Sequence, residues 1–523
     1  MSYKGNAMVL PPKVVHPKGE EEMVPKKREI SSLVAETFDG KIHIEWDPQA
    51  QVTPLGQLPF FIQYLKMGHL FQPWVDECPL NYTSNNAPKK VNILGSLLLS
   101  ILAGHTRYSH ITSLLGESVN TKLLGMTKVV STDCARRALN RMDEDEGIHW
   151  LQEHLMRCYS PILHLPWILD TDVTVKPLFG KQEGAVVGYN PHKPGRPSHT
   201  YHTYMIANLR LVLDVEVQAG NHSSSAYSAP GLWALLERLP KSQWPAFIRG
   251  DSDWGSNPIM SEAEERGIPY LFKLKQSPNV KKLILKHHCD SGWESTVAGW
   301  EALSTELKLS AWTQTRRVVI VRRRLSKNIM VAPDTRKALP MQLSLIEPAE
   351  KMAAFEYSVL VTSLADETIS IVQHYRDRAD CENNFDEIKN QWGWGGFVTH
   401  NIKSCRLRAR MIALIYNWWT LFVRLAEPDK HFEAIVSRPL LLQGIGKQTQ
   451  HAAQKTLTIT STHGRASYVR KAYQRVSDFF EQLKLIAPQL TPIESWYRIL
   501  SEVLKKYLQG ALLKPPDRLS FEY

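Results

Sequence analysis

Four stretches between Trp167 and Gln276 constrain the fold more than any other feature: WILDTDVTV, TYMIANLRLVLDVEVQAG, PAFIRGDSDW and PYLFKLKQ. Apolar and β-branched residues dominate them, and SAPGLWALLERLP and NPIMSEAEERG, which lie between, carry helical spacing. The order reads as three strands, a helix, a strand, a helix and another strand. That succession predicts an α/β fold built on a mixed sheet flanked by helices.

The flanking texture supplies the organisation. Residues 1–30 are rich in Pro, Lys and Glu and read as a flexible basic arm. Residues 31–165 open with a hairpin signal at Asp39-Gly40 and are otherwise helical in pattern. Their clearest helix start is KVVSTDCARRALNRMDEDE, where Ser131, Thr132 or Asp133 can cap a helix carrying Arg136, Arg137 and Arg141. With the short helical run before it, this unit resembles a helix-turn-helix reader whose arginines face DNA; a structural bundle with a basic face is the alternative. The sheet occupies 166–277, gives way over 278–356 to a basic, β-rich insertion with runs such as TRRVVIVRRRLS, and resumes over 357–427. Residues 428–523 read as helical. The segments LGSLLLSILAG and MIALIYNWWTLFV are too short to span a bilayer and read as buried helices, so no membrane partner is expected.

Charge narrows the partner. Among 523 residues, 63 Lys and Arg oppose 52 Asp and Glu, for a net charge of +11, which favours a polyanion and nucleic acid above others. The six cysteines are scattered without a CxxC pair, so neither a zinc ribbon nor a disulfide framework is indicated. No apolar signal core opens the chain, and a cytoplasmic protein is expected.

The stretch HYRDRADCENNFDEIKNQ, His374 to Gln391, reads as one helix because no Gly or Pro interrupts it. Tyr375, Arg378, Glu382 and Lys389 stand at offsets of 0, 3, 7 and 14, which at roughly 100° per residue fall within an arc of about 60°. A phenol, a guanidinium, a carboxylate and an ammonium thus share one stripe. Upstream, Asp170 and Asp172 alternate to one face of WILDTDVTV, and Asp251 follows PAFIRG at a strand end. Carboxylates gathered in a sheet are costly unless a cation neutralises them. Oxygen-only ligands favour Mg²⁺ or Mn²⁺, and such sites perform phosphodiester chemistry.

These residues resemble the DDE triad of an RNase H-like transposase: Asp172 in Asp172-Val173-Thr174, Asp251 in RGDSDWG, and Glu382. Tyr375, Arg378, Glu382 and Lys389 match the Y-x2-R-x3-E-x6-K signature of bacterial cut-and-paste insertion sequences. FGKQEGAVVGYNPHKPGRPSHTYH and QWGWGGF are similar to the thirteen-eighty insertion-sequence family, a likeness running from about residue 35 to 430. The resemblance implies that Asp172, Asp251 and Glu382 bind the catalytic metals, Mg²⁺ with Mn²⁺ as substitute. It implies that Tyr375, Arg378 and Lys389 hold the DNA end, that the partner is double-stranded DNA at transposon ends and target, and that a homodimer pairs two ends. Two departures stand out: Asp253 replaces the Gly often found two residues after the second aspartate, and Asp170 shares a face with Asp172.

Further candidates sit beside these. Lys193 and Arg196 in GYNPHKPGRPSH read as DNA contacts on a stiff loop. Trp293, Trp300 and Trp312 lie among basic residues in the insertion; related enzymes stack a flipped base on an aromatic there, while core packing is the plainer role. His287-His288-Cys289-Asp290 has no second cluster at ligand spacing. Gly444-Ile445-Gly446-Lys447 has Gln448 where a phosphate loop needs Ser or Thr, and no G-x-S-x-G elbow occurs, so no nucleotide or serine-hydrolase chemistry is expected. The expected function is therefore DNA-end cleavage and joining to a target; a silent DNA-binding relative and a nuclease without strand transfer are the rivals.

Overall fold

The computed structural model describes residues 33–190, 193–222, 224–296, 299–324, 355–397, 399–460 and 464–515, so the basic arm expected over 1–30 lies outside the described residues. The chain divides into a unit ending at Ala50 and a larger one beginning at Gln51. In the first, β1 (Leu33–Thr37) and β2 (Gly40–Ile44) pair antiparallel, with Thr37 opposite Gly40 across a tight turn. Gly40 takes φ +99°, open to a residue without Cβ, which is why Asp39-Gly40 marks a hairpin.

In the larger unit, β3 (Val52–Thr53) is followed by helices over Leu58–Met67, Phe71–Asp76, Lys90–Leu102, Val119–Leu123, Thr132–Arg141 and Glu144–Tyr159. Then come β4 (Ile168–Pro177), β5 (Val186–Val187), β6 (Pro197–Ile206), β7 (Leu211–Ala219), β8 (Phe247–Gly250) and β9 (Tyr270–Lys273). They are joined by β10 (Glu294–Ser295), β11 (Trp300–Leu307), β12 (Arg316–Arg324) and β13 (Phe355–Thr362). All ten strands from β4 to β13 form one sheet in the order β10-β11-β12-β13-β9-β8-β4-β6-β5, with β7 also paired to β6.

Direction changes at β4. It runs antiparallel to β6, and β6 to β7, whereas β4 with β8 and β8 with β9 are parallel. Antiparallel neighbours need only short turns; the parallel ones are linked through helices Ser224–Glu237 and Asn257–Arg266, which gives the helix–strand succession read from the sequence. Strands β11 and β12, from the basic 278–356 stretch, pair through β13 to β9 and so extend the same sheet; residues 325–354 of that stretch lie outside the described residues.

The core centres on helix Ile402–Ala426, whose side chains are buried almost throughout, from Leu407 to Val423 without a break. Two of its charged positions are met by carboxylates: Arg410 Nε donates to Asp214 Oδ1 at 2.8 Å and Arg406 Nη1 to Glu144 Oε1 at 2.6 Å, whereas the buried Arg408 guanidinium lies over the Phe397 ring at 3.9 Å. Among the described residues no helix is long and apolar enough to cross a membrane.

The C-terminal region has helices Ala434–Leu441, Ala466–Ile486 and Pro492–Val503, but also β14 (Gly446–His451) and β15 (Gln454–Ile459), a hairpin the helical expectation did not include. Its turn uses Ala452 at φ +50°, where a Gly or Asn would have advertised the turn. Gly446 and Lys447 of β14 pair with Thr53 and Val52 of β3, closing a three-stranded sheet between distant parts of the chain.

Candidate active site

Asp170 and Arg249 face each other across β4 and β8 as direct register partners. Both are fully buried; Arg249 Nε donates to Asp170 Oδ1 at 2.5 Å and Nη2 to Oδ2 at 2.7 Å. A third donor, Nη1, reaches the carbonyl of His374. Burial opposes the guanidinium's charge, yet the two bonds to Asp170 raise its pKa above the ordinary value. This closed, bidentate pair leaves Asp170 no role as an open ligand. Sequence reasoning missed Arg249, although one arginine inside the apolar run PAFIRG was a signal: a charge on a buried strand requires a partner.

Two residues on, Asp172 has the opposite setting. Its side chain keeps 27% exposure, and Arg378 Nη2 stands 3.5 Å from its Oδ1. Arg378, itself 5% exposed, also donates through Nη1 to Glu382 Oε1, so one guanidinium bridges two carboxylates from different elements. Its Nε is buried with no hydrogen-bond partner. Burial pushes the Asp172 carboxyl above the usual range; Arg378 pulls it back, while Asp251 and Glu382 push it further up. Asp251 is likewise raised, first by burial and then by Asp253, against the Asp253 backbone N–H and Arg378. Its Oδ1 accepts that N–H at 3.0 Å, closing a small turn, whereas Asp253 Oδ1 turns to Lys275 Nζ at 2.5 Å. Asp172, Asp251 and Glu382 thus share one electrostatic neighbourhood with Arg378; Asp170 also acts on Arg378 through its charge, but its hydrogen bonds go to Arg249, and Asp253 pairs with Lys275.

The polar helix expected over 374–391 is two helices, Thr368–Arg376 and Arg378–Gln391, meeting at Asp377. The acidic side chain at that junction accepts from Gln373 Nε2 at 2.6 Å and the next turn tightens, with Asp380 N bonding Asp377 O at 3.3 Å. Tyr375 therefore belongs to the first helix, and the single 60° stripe does not run unbroken. The phenol still senses the site: burial first, then Asp251 and Glu382, push its pKa up to about 12 against Arg378. Phe385 and Ile388 are buried and anchor the helix, while Glu382 stays exposed and Lys389 half-buried.

The helix end is pinned by its loop. Arg438 Nη1 donates to Gln391 O at 2.6 Å with its guanidinium 4.2 Å from the Trp392 ring centroid, and Trp392 Nε1 donates to Glu387 Oε1 at 3.0 Å. Gly396 is obligatory here, because a Cβ would lie 2.0 Å from Thr106 O.

The remaining candidates lie on other parts of the surface or core. Ser131 is the cap, its hydroxyl accepting from Cys134 N at 3.3 Å, and Arg136 and Arg137 are exposed, the former paired with Asp133 at 2.7 Å. Lys193 and Arg196 are exposed, each cation 4.9 Å from the ring of Phe179. Trp312 is buried; Trp293 carries Arg322 at 3.8 Å and Trp300 carries Arg323 at 4.9 Å.

Carboxylates from the middle of β4, from just past the end of β8 and from a helix are by type a fit donor set for a hard divalent cation. In the arrangement present, with Arg378 between them, no three His, Cys, Asp or Glu side chains among the described residues are gathered closely enough to hold a metal ion.

The family model described as Transposase DDE domain group 1 matches residues 83–479. No curated protein matches the chain. A solved structure, the cryo-EM structure of the piggyBac transposase synaptic complex with hairpin DNA, is similar at 12% identity and a TM-score of 0.37, covering 90% of this chain and 87% of that one.

Proposed function

The chain belongs to the Transposase DDE domain group 1 family, and from that membership we propose that it binds the terminal inverted repeats of its element, cleaves the DNA ends and joins their 3′-hydroxyls to target DNA. The carrying observation is Arg378 bridging Asp172 and Glu382, with Asp251 close enough to shift Asp172. Three antiparallel strands, β7-β6-β4, followed by parallel β8 and β9, support an RNase H-like core, with β4 and β8 delivering the aspartates. The signature spacing and the loops around it support the finer likeness to the thirteen-eighty insertion-sequence family.

Asp172, Asp251 and Glu382 would hold Mg²⁺, or Mn²⁺ in its place. When bound, such ions lower the pKa of the attacking water or 3′-hydroxyl and stabilise the leaving oxygen. Arg378 favours the charged form of Asp172 and holds Asp172 and Glu382 in place before DNA arrives. Because the Tyr375 phenol is pushed up to about 12, it stays protonated and serves as a hydrogen-bond donor to a phosphate oxygen, not as a base. Lys389 offers a point charge to the backbone at the other end of the helix. Lys193, Arg196, Arg136 and Arg137 extend the basic surface for duplex DNA, and a homodimer would supply one site to each of two ends.

The test is cleavage of duplexes carrying the inverted repeats that flank the coding sequence, followed by joining of precut ends. Metal-dependent nicking by the wild type and its loss in Asp172→Ala, Asp251→Ala and Glu382→Gln is the expected result. Nicking that persists in all three would overturn the assignment; nicking without joining would leave a nuclease.

A further inference from the structure

The loop between β4 and β6 exposes aromatic surface that no packing argument explains. Phe179 is 70% exposed and Tyr189 83% exposed, although Leu178 beside one and Asn190 beside the other are buried. The base of the loop is firmly held: Leu178 N bonds Pro197 O at 2.8 Å, and a Cβ on Gly188 would lie 1.7 Å from Gly220 O. The Lys193 ammonium and the Arg196 guanidinium each lie 4.9 Å from the Phe179 ring centroid, and neither has a carboxylate partner among the described residues.

The loop's charge is one-sided. Lys181, Lys193 and Arg196 are exposed, whereas the one carboxylate of the stretch, Glu183, is occupied in accepting from Ile402 N at 3.1 Å. An exposed ring beside two cations that have no carboxylate partner among the described residues, on a stiff base, suits a duplex: cations meet phosphates, and an apolar side chain enters a base step.

We propose that Phe179 is a DNA wedge, with Lys193 and Arg196 seated on the phosphates beside the step it opens. The proposal rests on reading the chain as an end-cleaving transposase and adds a contact outside the carboxylate site. Its position follows from the strand. Pro177, the end of β4, is five positions past Asp172, and Phe179 is two further on. At about 3.3 Å per residue these seven steps reach roughly 23 Å at most. Since DNA advances about 3.4 Å per base pair, the opened step falls within about seven base pairs of the cut phosphate.

The experiment places 2-aminopurine singly along duplexes carrying the flanking inverted repeat and compares wild type, Phe179→Ala, Phe179→Trp and the Lys193→Ala/Arg196→Ala double variant. A fluorescence rise confined to one step within about seven pairs of the cut is expected in the wild type. It should vanish in Phe179→Ala, with about tenfold weaker binding and an unchanged salt dependence, and return in Phe179→Trp. The double variant should instead lower the slope of log K against log salt by about 1–2, near 0.9 for each phosphate no longer neutralised. A wild type that cleaves ends without any local rise, or a rise that survives Phe179→Ala, overturns the wedge and leaves the transposase reading intact. A wild type that binds but never cleaves in Mg²⁺ counts against that reading instead, whatever the fluorescence shows.

Discussion

Asp170 and Asp172 lie two residues apart on one strand, and each meets an arginine, yet the two pairs are built for different ends. Asp170 and Arg249 satisfy one another with two parallel bonds in a buried setting, and a carbonyl takes a third donor. Asp172 has a single longer contact at 3.5 Å to an arginine it shares with Glu382, and part of its carboxylate is open. A closed pair holds two strands in register; an open, shared one leaves acids near a cation they can exchange for another. Neighbouring aspartates on the same face can thus be told apart by how completely their charge is answered.

The largest contrast should appear in activity. Asp172→Asn and Glu382→Gln are expected to lower end cleavage by about 10³-fold or more in Mg²⁺ while the protein stays folded. Asp170→Asn should instead act on the fold: one half of a buried pair would be left uncompensated, a loss of about 3–5 kcal/mol read by denaturant unfolding, and Arg249→Met should match it. If Asp170→Asn proved as stable as wild type and as inactive as Asp172→Asn, the distinction between the pairs would collapse.

Metal provides the next test. At free Mg²⁺ about 100-fold above its dissociation constant, the wild type should gain about 2.7 kcal/mol, seen as a higher melting temperature. Asp172→Asn should show little of that gain, and the Asp170–Arg249 pair should play no part in it. Chelation should return wild type to the metal-free value.

The smallest effects concern protons. Asp172 and Asp251 have folded pKa values raised above the unfolded ones, so the folded state holds more protons between the two. Their contribution therefore turns unfavourable as pH climbs through that window and stays so above it. In metal-free buffer at pH 7, Asp172→Asn should melt about 1–2 °C higher than wild type, and the difference should fade near pH 4. Arg378→Gln removes the group that pulls Asp172 down, so the acid limb of the cleavage profile should move to higher pH. A limb that stays put would mean that Arg378 does not govern Asp172.

Much of this architecture is legible in local pattern alone. The strand succession from Trp167 onward, the Asp39-Gly40 hairpin and the buried helix Ile402–Ala426 depend on neighbours in sequence, which periodicity reports directly. What depends on distant partners is not legible. Alternation puts Asp170 and Asp172 on one face, and only Arg249, 79 residues away, separates them. The break at Asp377 is hidden because Asp is compatible with either a helix interior or a junction, and Gln373 and the tightened turn make the choice. The β14–β15 hairpin is hidden because Ala452 takes the conformation usually signalled by Gly.

That hairpin also sets a schedule. β3 waits for its partner strand until Gly446–Lys447 has been made and folded back, about three quarters of the chain later. At about 5–20 residues per second of synthesis, the delay is roughly 20–80 s. During that time the earlier helices have to persist beside an unfilled edge. A ribosome that stops short of Ile459 therefore releases a protein whose beginning, as well as its end, is unfinished.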